Sequence, residues 1–463
     1  MPSTIAALAT ARGAAALAVI RVSGPEALPV VQRCVSAAAA ERLGAAPGHT
    51  AYLVWVRDAD GASLDQAVAT VFRAPHSATG EDVVELSCHG GDAAPQAVLR
   101  ALFAAGAEPA PPGAFTERAF LNGKLDLAQA EAVADLISAR GELARRGALA
   151  GLSGRLSDEV DGVRDALLET AALVELELDF SEEDVAFADR SALANLLDRA
   201  DALLERLLST ARLGALVRDG VRVVLGGRPN AGKSTLLNAL VGHDRAIVSP
   251  TPGTTRDAVE AEIELGGLAV RLVDTAGLRE TADAIEAEGT ARARAAIDTA
   301  DALLYVVDAA VGPDAEERLF LDALAVRRPD LAVLRIANKA DTLAGGGASA
   351  GGDAGIAWAD LALSARDALA HSERLDPLRE RLLDALRVDL TDPEAGLVTV
   401  NERHRHHLSA ARDAIGRARA ALDQSDTLAL DLRAALREIG LVTGAVTAED
   451  VLGAVFSRFC IGK

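Results

Sequence analysis

The spacing of hydrophobic positions changes several times along the chain, and each change predicts a different kind of structure. In residues 1–120, short hydrophobic runs alternate with turn signals, which is typical of strands joined by tight turns. Strands are predicted at 17–22, 50–57, 67–73 and 83–87, and a helix at 95–105. A proline-rich segment at 108–113 ends this region. The pattern predicts an N-terminal α+β domain over residues 1–120.

Residues 121–216 carry leucine and alanine at helical spacing opposite charged faces, so they predict helices. Strands and helices alternate over residues 217–386, and helical spacing returns over residues 387–463. The simplest interpretation is one discontinuous helical domain, made of the first and last of these segments and interrupted by an α/β domain. It predicts that the two helical segments pack on each other. Two separate helical domains are the alternative.

The composition supports a folded chain of about two to three domains. Of its 463 residues, 50% are hydrophobic and only 3% are aromatic, so alanine, leucine and valine must build the cores. The formal net charge is −21. Because nucleic-acid affinity depends largely on phosphate neutralisation, so acidic a chain needs a local basic patch or a basic partner to bind RNA.

The cysteines and the hydrophobic runs predict a cytoplasmic protein that does not enter a membrane. Cys34, Cys88 and Cys460 are odd in number and far apart, which favours a reducing compartment over a disulfide framework. No uninterrupted hydrophobic run approaches the length that spans a membrane. The first twenty residues lack the basic region of a signal peptide.

The segment Gly227-Arg-Pro-Asn-Ala-Gly-Lys-Ser234 fits G-x-x-x-x-G-K-S, the pattern of a phosphate-binding P-loop. It follows a hydrophobic run at 221–225 that predicts a buried strand, and it precedes a predicted helix at 235–240. In that order, backbone N–H groups and a helix N-terminus surround one anion. Lys233 is expected to reach the β- and γ-phosphate oxygens, and Ser234 to coordinate magnesium.

Further motifs follow in the order that a GTPase needs. Thr255, in the segment 249–257, can bring a hydroxyl onto magnesium when the γ-phosphate is present. Asp274 begins a D-x-x-G motif after a predicted strand and is expected to hold magnesium through water. Asp341, which ends Asn338-Lys-Ala-Asp341, can accept two N–H groups of guanine that adenine does not offer.

Together with Ser364-Ala-Arg366, a segment expected to close over the base, these motifs predict a GTP site. The predicted GTP-binding residues are Asn230, Ala231, Gly232, Lys233, Ser234, Thr235, Ser249, Pro250, Thr251, Pro252, Gly253, Thr254, Thr255, Asp274, Thr275, Ala276, Gly277, Asn338, Lys339, Asp341, Ser364, Ala365 and Arg366.

The pattern leaves the catalyst of hydrolysis open. The position that carries glutamine in many small GTPases holds Leu278. Another group must therefore orient water and offset the developing charge, and the candidates are Arg256, Arg279, Glu286 or a bound cation. For Glu286 the alternative is a solvated acidic residue in a loop that also contains Glu288.

Two clusters of metal-ligating residue types are interpreted as structural. Cys88 and His89 are adjacent in a predicted strand, so their side chains are expected on opposite faces. His404, His406 and His407 have no acidic or cysteine partner at ligand spacing, which favours a solvated helix face.

Motifs along the whole chain match one family. They are Ile20-Arg-Val-Ser-Gly24, Gly80-Glu-Asp-Val-Val-Glu85, the segment 115–131, the P-loop, Gly253-Thr-Thr-Arg-Asp257, Asp274-Thr-Ala-Gly-Leu-Arg279, Asn338-Lys-Ala-Asp341 and Phe459-Cys-Ile-Gly-Lys463. Through them the chain resembles the MnmE family, also called TrmE, of tRNA modification GTPases. The resemblance implies a multidomain α/β plus all-α fold, with an N-terminal folate-binding-like α+β domain and a helical domain interrupted by a Ras-like P-loop GTPase domain.

The resemblance also implies an activity and partners. Members hydrolyse GTP and work with the FAD-dependent protein MnmG (GidA), in a heterotetramer or larger complex, to modify carbon 5 of the wobble uridine in tRNA. The added aminomethyl or carboxymethylaminomethyl group takes its one-carbon unit from 5-formyltetrahydrofolate or a related folate, which the N-terminal domain binds. That domain also makes the homodimer, and the G domains pair when potassium and GTP are bound.

The resemblance also implies roles for several site residues, some of which the motifs already indicate. It implies that magnesium is held by Ser234 and Thr255, that Glu286 organises water, and that Cys460 takes part in modification. From the residues alone, Cys460 fits a buried small apolar side chain equally well. The implied potassium ligands are Asn230, Ser249, Thr251 and Thr254, and the implied folate-binding residues are Arg21, Glu85, Lys124 and Lys463.

Two other functions remain as alternatives. One is a GTP-switched assembly factor that binds ribosomal RNA and carries out no modification, and the other is a folate-binding regulatory protein. Assembly factors usually add an RNA-binding module with a basic face. Here the segments that flank the G domain are acidic helices and the Cys-Ile-Gly-Lys tail.

Overall fold

A computed structural model describes residues 3–179, 189–243, 245–246, 260–274, 294–343, 356–386, 398–446 and 449–463. By their internal contacts, the residues form two compact units. The first unit is Met1–Ala134, Gly151–Glu205 and Arg403–Lys463, and the second unit is Asp135–Ala150 and Arg206–Glu402. The domain boundaries predicted at residues 120, 216 and 386 remain predictions.

The helices and strands of the described residues are as follows. The α-helices are α1 (Ala27–Arg33), α2 (Ala37–Gly44), α3 (Ala93–Ala104), α4 (Ala114–Leu121), α5 (Leu127–Ser138), α6 (Glu142–Leu152), α7 (Arg155–Asp179), α8 (Arg190–Asp219), α9 (Lys233–His243), α10 (Ala315–Arg327), α11 (Ala365–Ala368), α12 (Asp376–Ala385), α13 (Glu402–Ala420), α14 (Ser425–Thr443) and α15 (Glu449–Phe456). The strands are β1 (Ile5–Leu8), β2 (Leu17–Ser23), β3 (Thr50–Arg57), β4 (Ser63–Phe72), β5 (Val83–His89), β6 (Glu108–Pro109), β7 (Val221–Gly226), β8 (Arg245–Ala246), β9 (Glu260–Leu265), β10 (Leu268–Asp274), β11 (Ala302–Asp308), β12 (Ala332–Asn338) and β13 (Leu361–Ala362).

The first unit contains a six-stranded sheet in the order β3-β4-β5-β2-β1-β6. Its pairs are antiparallel except for β1 with β6. Alternate side chains along a strand point to opposite faces of the sheet. Ile20 and Val22 of β2 are therefore fully buried in the core, whereas Arg21 lies on the opposite face. The same alternation buries Cys88 and exposes His89, as predicted. The sheet therefore has one face for the core and one for other contacts.

The helical segments that precede and follow the α/β region pack on each other, as predicted. Helix α14 packs along α7, and ion pairs join the two segments. Arg412 meets Asp201 at 2.8 Å, and Arg433 meets Glu175 at 2.9 Å. These exposed pairs are each worth about 0–1 kcal/mol, so they add little to the packing of the helices.

The predicted solvated face at residues 404–407 is wrong for His404, which is 3% exposed. Its imidazole meets the Glu131 carboxylate at 2.6 Å, and Arg403 meets the same carboxylate at 2.7 Å. Burial raises the pKa of Glu131, but the charges and hydrogen bonds of His404 and Arg403 outweigh it and hold the pKa well below its usual range. His407 also has an acidic partner, Glu438, at 2.8 Å. The acidic partners come from distant parts of the sequence, which is why ligand spacing did not indicate them.

The second unit contains a seven-stranded sheet in the order β13-β12-β11-β7-β10-β9-β8. Strands β13, β12, β11, β7 and β10 are parallel, and β9 and β8 continue the sheet antiparallel. The central strands β7 and β11 are buried almost throughout, which is typical of parallel strands covered by helices on both faces. The carboxyl ends of these strands lie at one edge, where α/β folds bind ligands. With the sheet of the first unit and the packed helices, the predicted fold class of α/β plus all-α parts is confirmed.

Residues 139–144 belong to this second unit by their contacts. The N–H of Leu143 donates to the carbonyl of Gly267 at 2.9 Å, and Arg140 forms an ion pair with Glu262. A Cβ at Gly141 would lie 2.6 Å from the same Gly267 oxygen, so the backbones approach as closely as glycine allows.

No helix within the described ranges is long and apolar enough to span a bilayer.

Candidate functional site

The P-loop lies between the end of β7 and the beginning of α9, at the carboxyl edge of the second sheet. Gly227 has a φ of 128°, and a Cβ there would lie 2.1 Å from the carbonyl oxygen of Val306. Gly232 has a φ of 97°, and its Cβ would lie 2.1 Å from the Asn338 amide nitrogen. Both positions therefore require glycine. The backbone conformation at these two glycines lets the loop wrap around the N-terminus of α9.

Lys233 is buried inside this loop, with 5% of its surface exposed. Its ammonium donates to the carbonyl of Gly227 at 2.9 Å and to that of Arg228 at 2.7 Å. An ammonium has three donors, so a phosphate that enters the loop must share or take them. The position fits the expected contact with β- and γ-phosphate oxygens.

Ser234 and Asp274 lie together, as expected for a magnesium site. The Ser234 hydroxyl donates to the Asp274 carboxylate at 2.9 Å, and Asp274 is only 3% exposed. The two residues come together because β10 pairs with β7, which places Asp274 opposite Leu225 at the end of the strand before the loop. A carboxylate and a hydroxyl at a helix N-terminus offer the oxygen ligands that magnesium prefers.

Asn338 joins three of the predicted motifs through one buried amide. Its Nδ2 donates to the carbonyl of Ala231 in the P-loop at 2.8 Å, and its Oδ1 accepts from the N–H of Ala365 at 2.9 Å. The side chain is 2% exposed. Sequence reasoning counted Asn338 among the GTP-binding residues, but the structure shows that it also ties the loops of the site to each other.

Lys339 has a partner that sequence reasoning missed. Its ammonium meets the Asp308 carboxylate at 2.8 Å, and its φ of 62° is unusual for a residue other than glycine. The hydrogen bond from Lys339 is the main cause that holds the pKa of Asp308 below its ordinary value. Asp308 ends β11, next to β12, and a polar residue at the carboxyl end of a buried strand was the available signal.

The motifs predicted to bind the base lie at the same edge of the sheet. Asp341 is exposed in a 3₁₀ turn, Ala340–Thr342, directly after β12. Ser364 caps the short helix α11, since its hydroxyl accepts from the N–H of Asp367 at 3.2 Å. Ala365 is buried and Arg366 is exposed. In the P-loop, Asn230 is exposed with a φ of 62°.

Thr235, also predicted to bind GTP, lies in the first turn of α9. The other predicted residues of this site lie outside the described part of the chain. They are Ser249, Pro250, Thr251, Pro252, Gly253, Thr254, Thr255, Arg256, Thr275, Ala276, Gly277, Arg279 and Glu286.

A second group of predicted residues meets on the outer face of the first sheet. Arg21 and Glu85 are paired across β2 and β5, and their side chains form an ion pair at 2.8 Å. The Arg21 guanidinium lies 5.5 Å from the centre of the buried Phe115 ring, and the N–H of Phe115 donates to the carbonyl of Lys463 at 3.2 Å. The structure thus places Arg21 beside the Phe115 ring, pairs Arg21 with Glu85, and joins the Lys463 backbone to that of Phe115. Phe115 is a contact that the sequence did not indicate.

The C-terminal tail reaches this place by close backbone packing. Gly462 has a φ of 96°, and a Cβ there would lie 2.1 Å from the carbonyl oxygen of Leu8. Cys460 is exposed, so the alternative of a buried apolar residue is wrong.

Lys124, the fourth predicted folate-binding residue, makes different contacts. Its ammonium donates to the carbonyl of Pro75 at 3.2 Å. It lines a cavity of about 390 Å³ together with His49, Phe72, His76, Ser77 and Ala78.

Comparisons with known proteins agree across the whole chain. The family model for the MnmE helical domain matches residues 127–460, and the model for the GTP-binding protein TrmE N-terminus matches residues 4–124. The tRNA modification GTPase MnmE of Salinibacter ruber is 55% identical over 99% of both chains, and that of Akkermansia muciniphila is 44% identical over 99% of both chains. The G domain of the FeoB iron transporter of T. maritima is 22% identical over 36% of this chain and 98% of its own, with a TM-score of 0.24. The two family models and the full-length relatives show that the chain belongs to the MnmE family of tRNA modification GTPases.

Proposed function

We propose that the chain is the GTP-hydrolysing subunit of a complex that modifies carbon 5 of the wobble uridine in tRNA, with a folate as the one-carbon source. The observation that carries the proposal is the site around Asn338, where one buried amide joins the P-loop to the base-binding loop within a full-length match to tRNA modification GTPases. Such a site fixes the positions of the phosphates and the guanine relative to each other.

The residues fit a magnesium ion, because the Ser234 hydroxyl and the buried Asp274 carboxylate already lie within hydrogen-bond distance. We assign magnesium to Ser234 and Thr255, with Asp274 behind it. Potassium is assigned to Asn230, Ser249, Thr251 and Thr254, of which Asn230 is exposed in the P-loop. When bound, the two cations supply positive charge where negative charge develops on the β–γ bridge.

The side chains of the chain divide the remaining work. Lys233 and the N–H groups of the P-loop neutralise and hold the phosphates, and Asp341 accepts the N–H groups of guanine. In the proposal, Glu286 orients the attacking water, because Leu278 replaces the usual glutamine. Arg279 and Arg256 are the other candidates for offsetting charge in the transition state.

The Arg21–Glu85 pair offers the chemistry that a folate requires. A guanidinium binds carboxylates, and a carboxylate accepts the paired N–H donors of a pterin. Both side chains are roughly three-quarters buried, at 22% and 24% exposed, and they lie beside the Phe115 ring. We assign the folate to Arg21, Glu85, Lys124 and Lys463, and we assign a role in modification to the exposed thiol of Cys460.

The assembly is also part of the proposal. We propose a cytoplasmic homodimer formed by the N-terminal domain, residues 1–120, which joins the FAD-dependent partner MnmG (GidA) in a heterotetramer or larger complex with tRNA. The G domain is residues 217–386, and the helical domain is residues 121–216 with 387–463. Because the chain is strongly acidic, with a net charge of −21, we expect the partner to supply much of the basic surface that tRNA needs.

The test is GTP turnover in potassium chloride and in sodium chloride at matched ionic strength, for the parent, Glu286→Ala and the neighbouring control Glu288→Ala. We expect strong stimulation by potassium in the parent and the control, and loss of turnover without loss of GTP binding in Glu286→Ala. Equal rates in the two salts would exclude the cation as a catalyst, and a GTP-switched assembly factor would then account better for the chain.

A further inference from the structure

The side chain of Arg228, the second residue of the P-loop, ties the loop to a neighbouring helix. Its guanidinium contacts the carboxylate of Asp314, and its Nε lies 3.7 Å from Glu317. Both acidic residues stand at the beginning of α10, which follows β11 in the second sheet. Arg228 itself is 54% exposed, so its contacts, and not burial, fix its direction.

The two carboxylates are held in place by partners other than Arg228. Asp314 is the N-cap of α10, where its side chain accepts from the N–H of Glu317 at 2.9 Å. The side chain of Glu317 returns the contact by accepting from the N–H of Asp314 at 3.1 Å, which completes a capping box. The buried Tyr305 hydroxyl donates to the other oxygen of Glu317 at 3.1 Å. Because each carboxylate has a partner on the rigid helix or strand, Arg228 meets a pre-organised anion pair.

The backbone of Arg228 is held from the other side by Lys233, which donates to its carbonyl at 2.7 Å. When a nucleotide binds, phosphate oxygens compete for that ammonium. The hydrogen bond from Lys233 to the Arg228 carbonyl then weakens. The N–H groups of the loop must nevertheless stay aligned on the phosphates. The side-chain contacts with Asp314 and Glu317 do not involve Lys233 and persist.

We propose that Arg228 is a positioning residue for nucleotide binding. Its contacts with the capping box of α10 maintain the backbone conformation of the P-loop when the Lys233 ammonium binds the phosphates. It does not touch the reacting atoms. Its role is to hold the loop backbone, so it serves GDP and GTP alike and does not alter the rate of the chemical step.

The test is the affinity for fluorescent GDP and for a fluorescent non-hydrolysable GTP analogue in Arg228→Ala, Arg228→Lys and the control Arg327→Ala. Arg327 lies in the last turn of the same helix and pairs with Asp298 at 2.9 Å, with similar exposure of 52%. We expect Arg228→Ala to weaken both affinities by about fivefold, through faster dissociation, which is the upper range for a partly exposed ion pair. Arg228→Lys keeps the charge and is expected to restore about half of the loss, and the control is expected to change neither affinity.

A second set of variants separates positioning from simple electrostatics. Asparagine at position 314 can still cap the helix but binds a guanidinium weakly, so we expect Asp314→Asn to lose about as much affinity as Arg228→Ala, and the double variant to lose no more than either single one. The KM for GTP is expected to rise with kcat unchanged. Unchanged affinity in Arg228→Ala, tighter binding in Asp314→Asn, or losses that multiply in the double variant would each overturn the proposal. Tighter binding would mean that the carboxylate repels the phosphates.

Discussion

The nucleotide site and the Arg21–Glu85 site are built in different ways. In the nucleotide site, short motifs follow consecutive parallel strands, and one buried amide, Asn338, joins them. At the other site, the ion pair comes from β2 and β5, the ring from α4, and Lys463 from the end of the chain. Parallel strands bring motifs together at one edge by topology, so a sequence pattern can show such a site. A site made from an antiparallel sheet and a chain terminus leaves no comparable pattern.

The largest effect is expected at Asn338. We expect Asn338→Ala to weaken GDP and GTP binding by about 100-fold, because the buried carbonyl of Ala231 and the N–H of Ala365 both lose their partner. Nucleotide titration by fluorescence measures the loss. Asn122→Ala, which removes a single bond to the carbonyl of Thr79, is the control and is expected to leave nucleotide binding unchanged. Nearly normal affinity in Asn338→Ala would mean that the motifs hold their places without the amide.

The second prediction tests the stability of the first unit without touching either site. Since the folded pKa of Glu131 lies below its ordinary value of 4.5, its stabilisation is present above that pH and is lost as the pH falls toward the folded value. Glu131→Gln leaves Arg403 and His404 without a counter-charge, so we expect it to lower the free energy of unfolding at pH 7 by about 2 kcal/mol. Denaturant unfolding from pH 7 to pH 3 measures the difference between variant and parent, which is expected to shrink with falling pH.

The control for that prediction is Glu438→Gln, whose carboxylate is more exposed and pairs with His407. It is expected to cost less than 1 kcal/mol, about the range of a surface pair. A difference between parent and Glu131→Gln that stays constant with pH would contradict the account, because the stabilisation would then not depend on the charge of the carboxylate.

The third prediction concerns the Arg21–Glu85 site. Glu85→Gln loses the charge that pairs with Arg21 and that would accept pterin N–H donors, so we expect the affinity for 5-formyltetrahydrofolate to fall about tenfold. Nucleotide affinity should stay the same. Glu26→Gln, where the carboxylate lies 4.0 Å from Arg33 at the surface, is the control and should bind folate normally. Equilibrium dialysis with the folate gives both values, and equal affinity in parent and Glu85→Gln would remove Glu85 from the site.

The smallest effect is expected at Asp308. Its ion pair with Lys339 is partly exposed, at 26% and 38%, so Asp308→Ala should weaken guanine-nucleotide binding by only about threefold. Asp330→Ala, which removes a surface partner of Arg328 in the same unit, should have no effect. A loss in Asp308→Ala as large as that expected for Asn338→Ala would show that the left-handed backbone of Lys339 depends on this pair.

The sequence predicted most of the fold and the described motifs of the nucleotide site, since hydrophobic runs mark buried strands and polar motifs mark their ends. It failed where partners come from distant segments. His404 was expected in solvent because its partner, Glu131, lies on α5, far away in the chain. The contacts of Arg228 with Asp314 and Glu317, and of Lys339 with Asp308, were missed for the same reason. At the Arg21–Glu85 site, the resemblance indicated the two residues. Only the structure showed the Phe115 ring beside Arg21 and the backbone hydrogen bond from Phe115 to Lys463.

A calorimetric titration of 5-formyltetrahydrofolate into the parent protein and into Asn338→Ala tests whether the folate site and the nucleotide site are independent. The account predicts that both proteins bind the folate with the same affinity and stoichiometry, because Arg21 pairs with Glu85 whereas the Asn338 amide bonds to Ala231 and Ala365. Absence of binding to the parent would contradict the proposed folate site. Binding to the parent that is lost in Asn338→Ala would contradict the claim that the two sites are built independently.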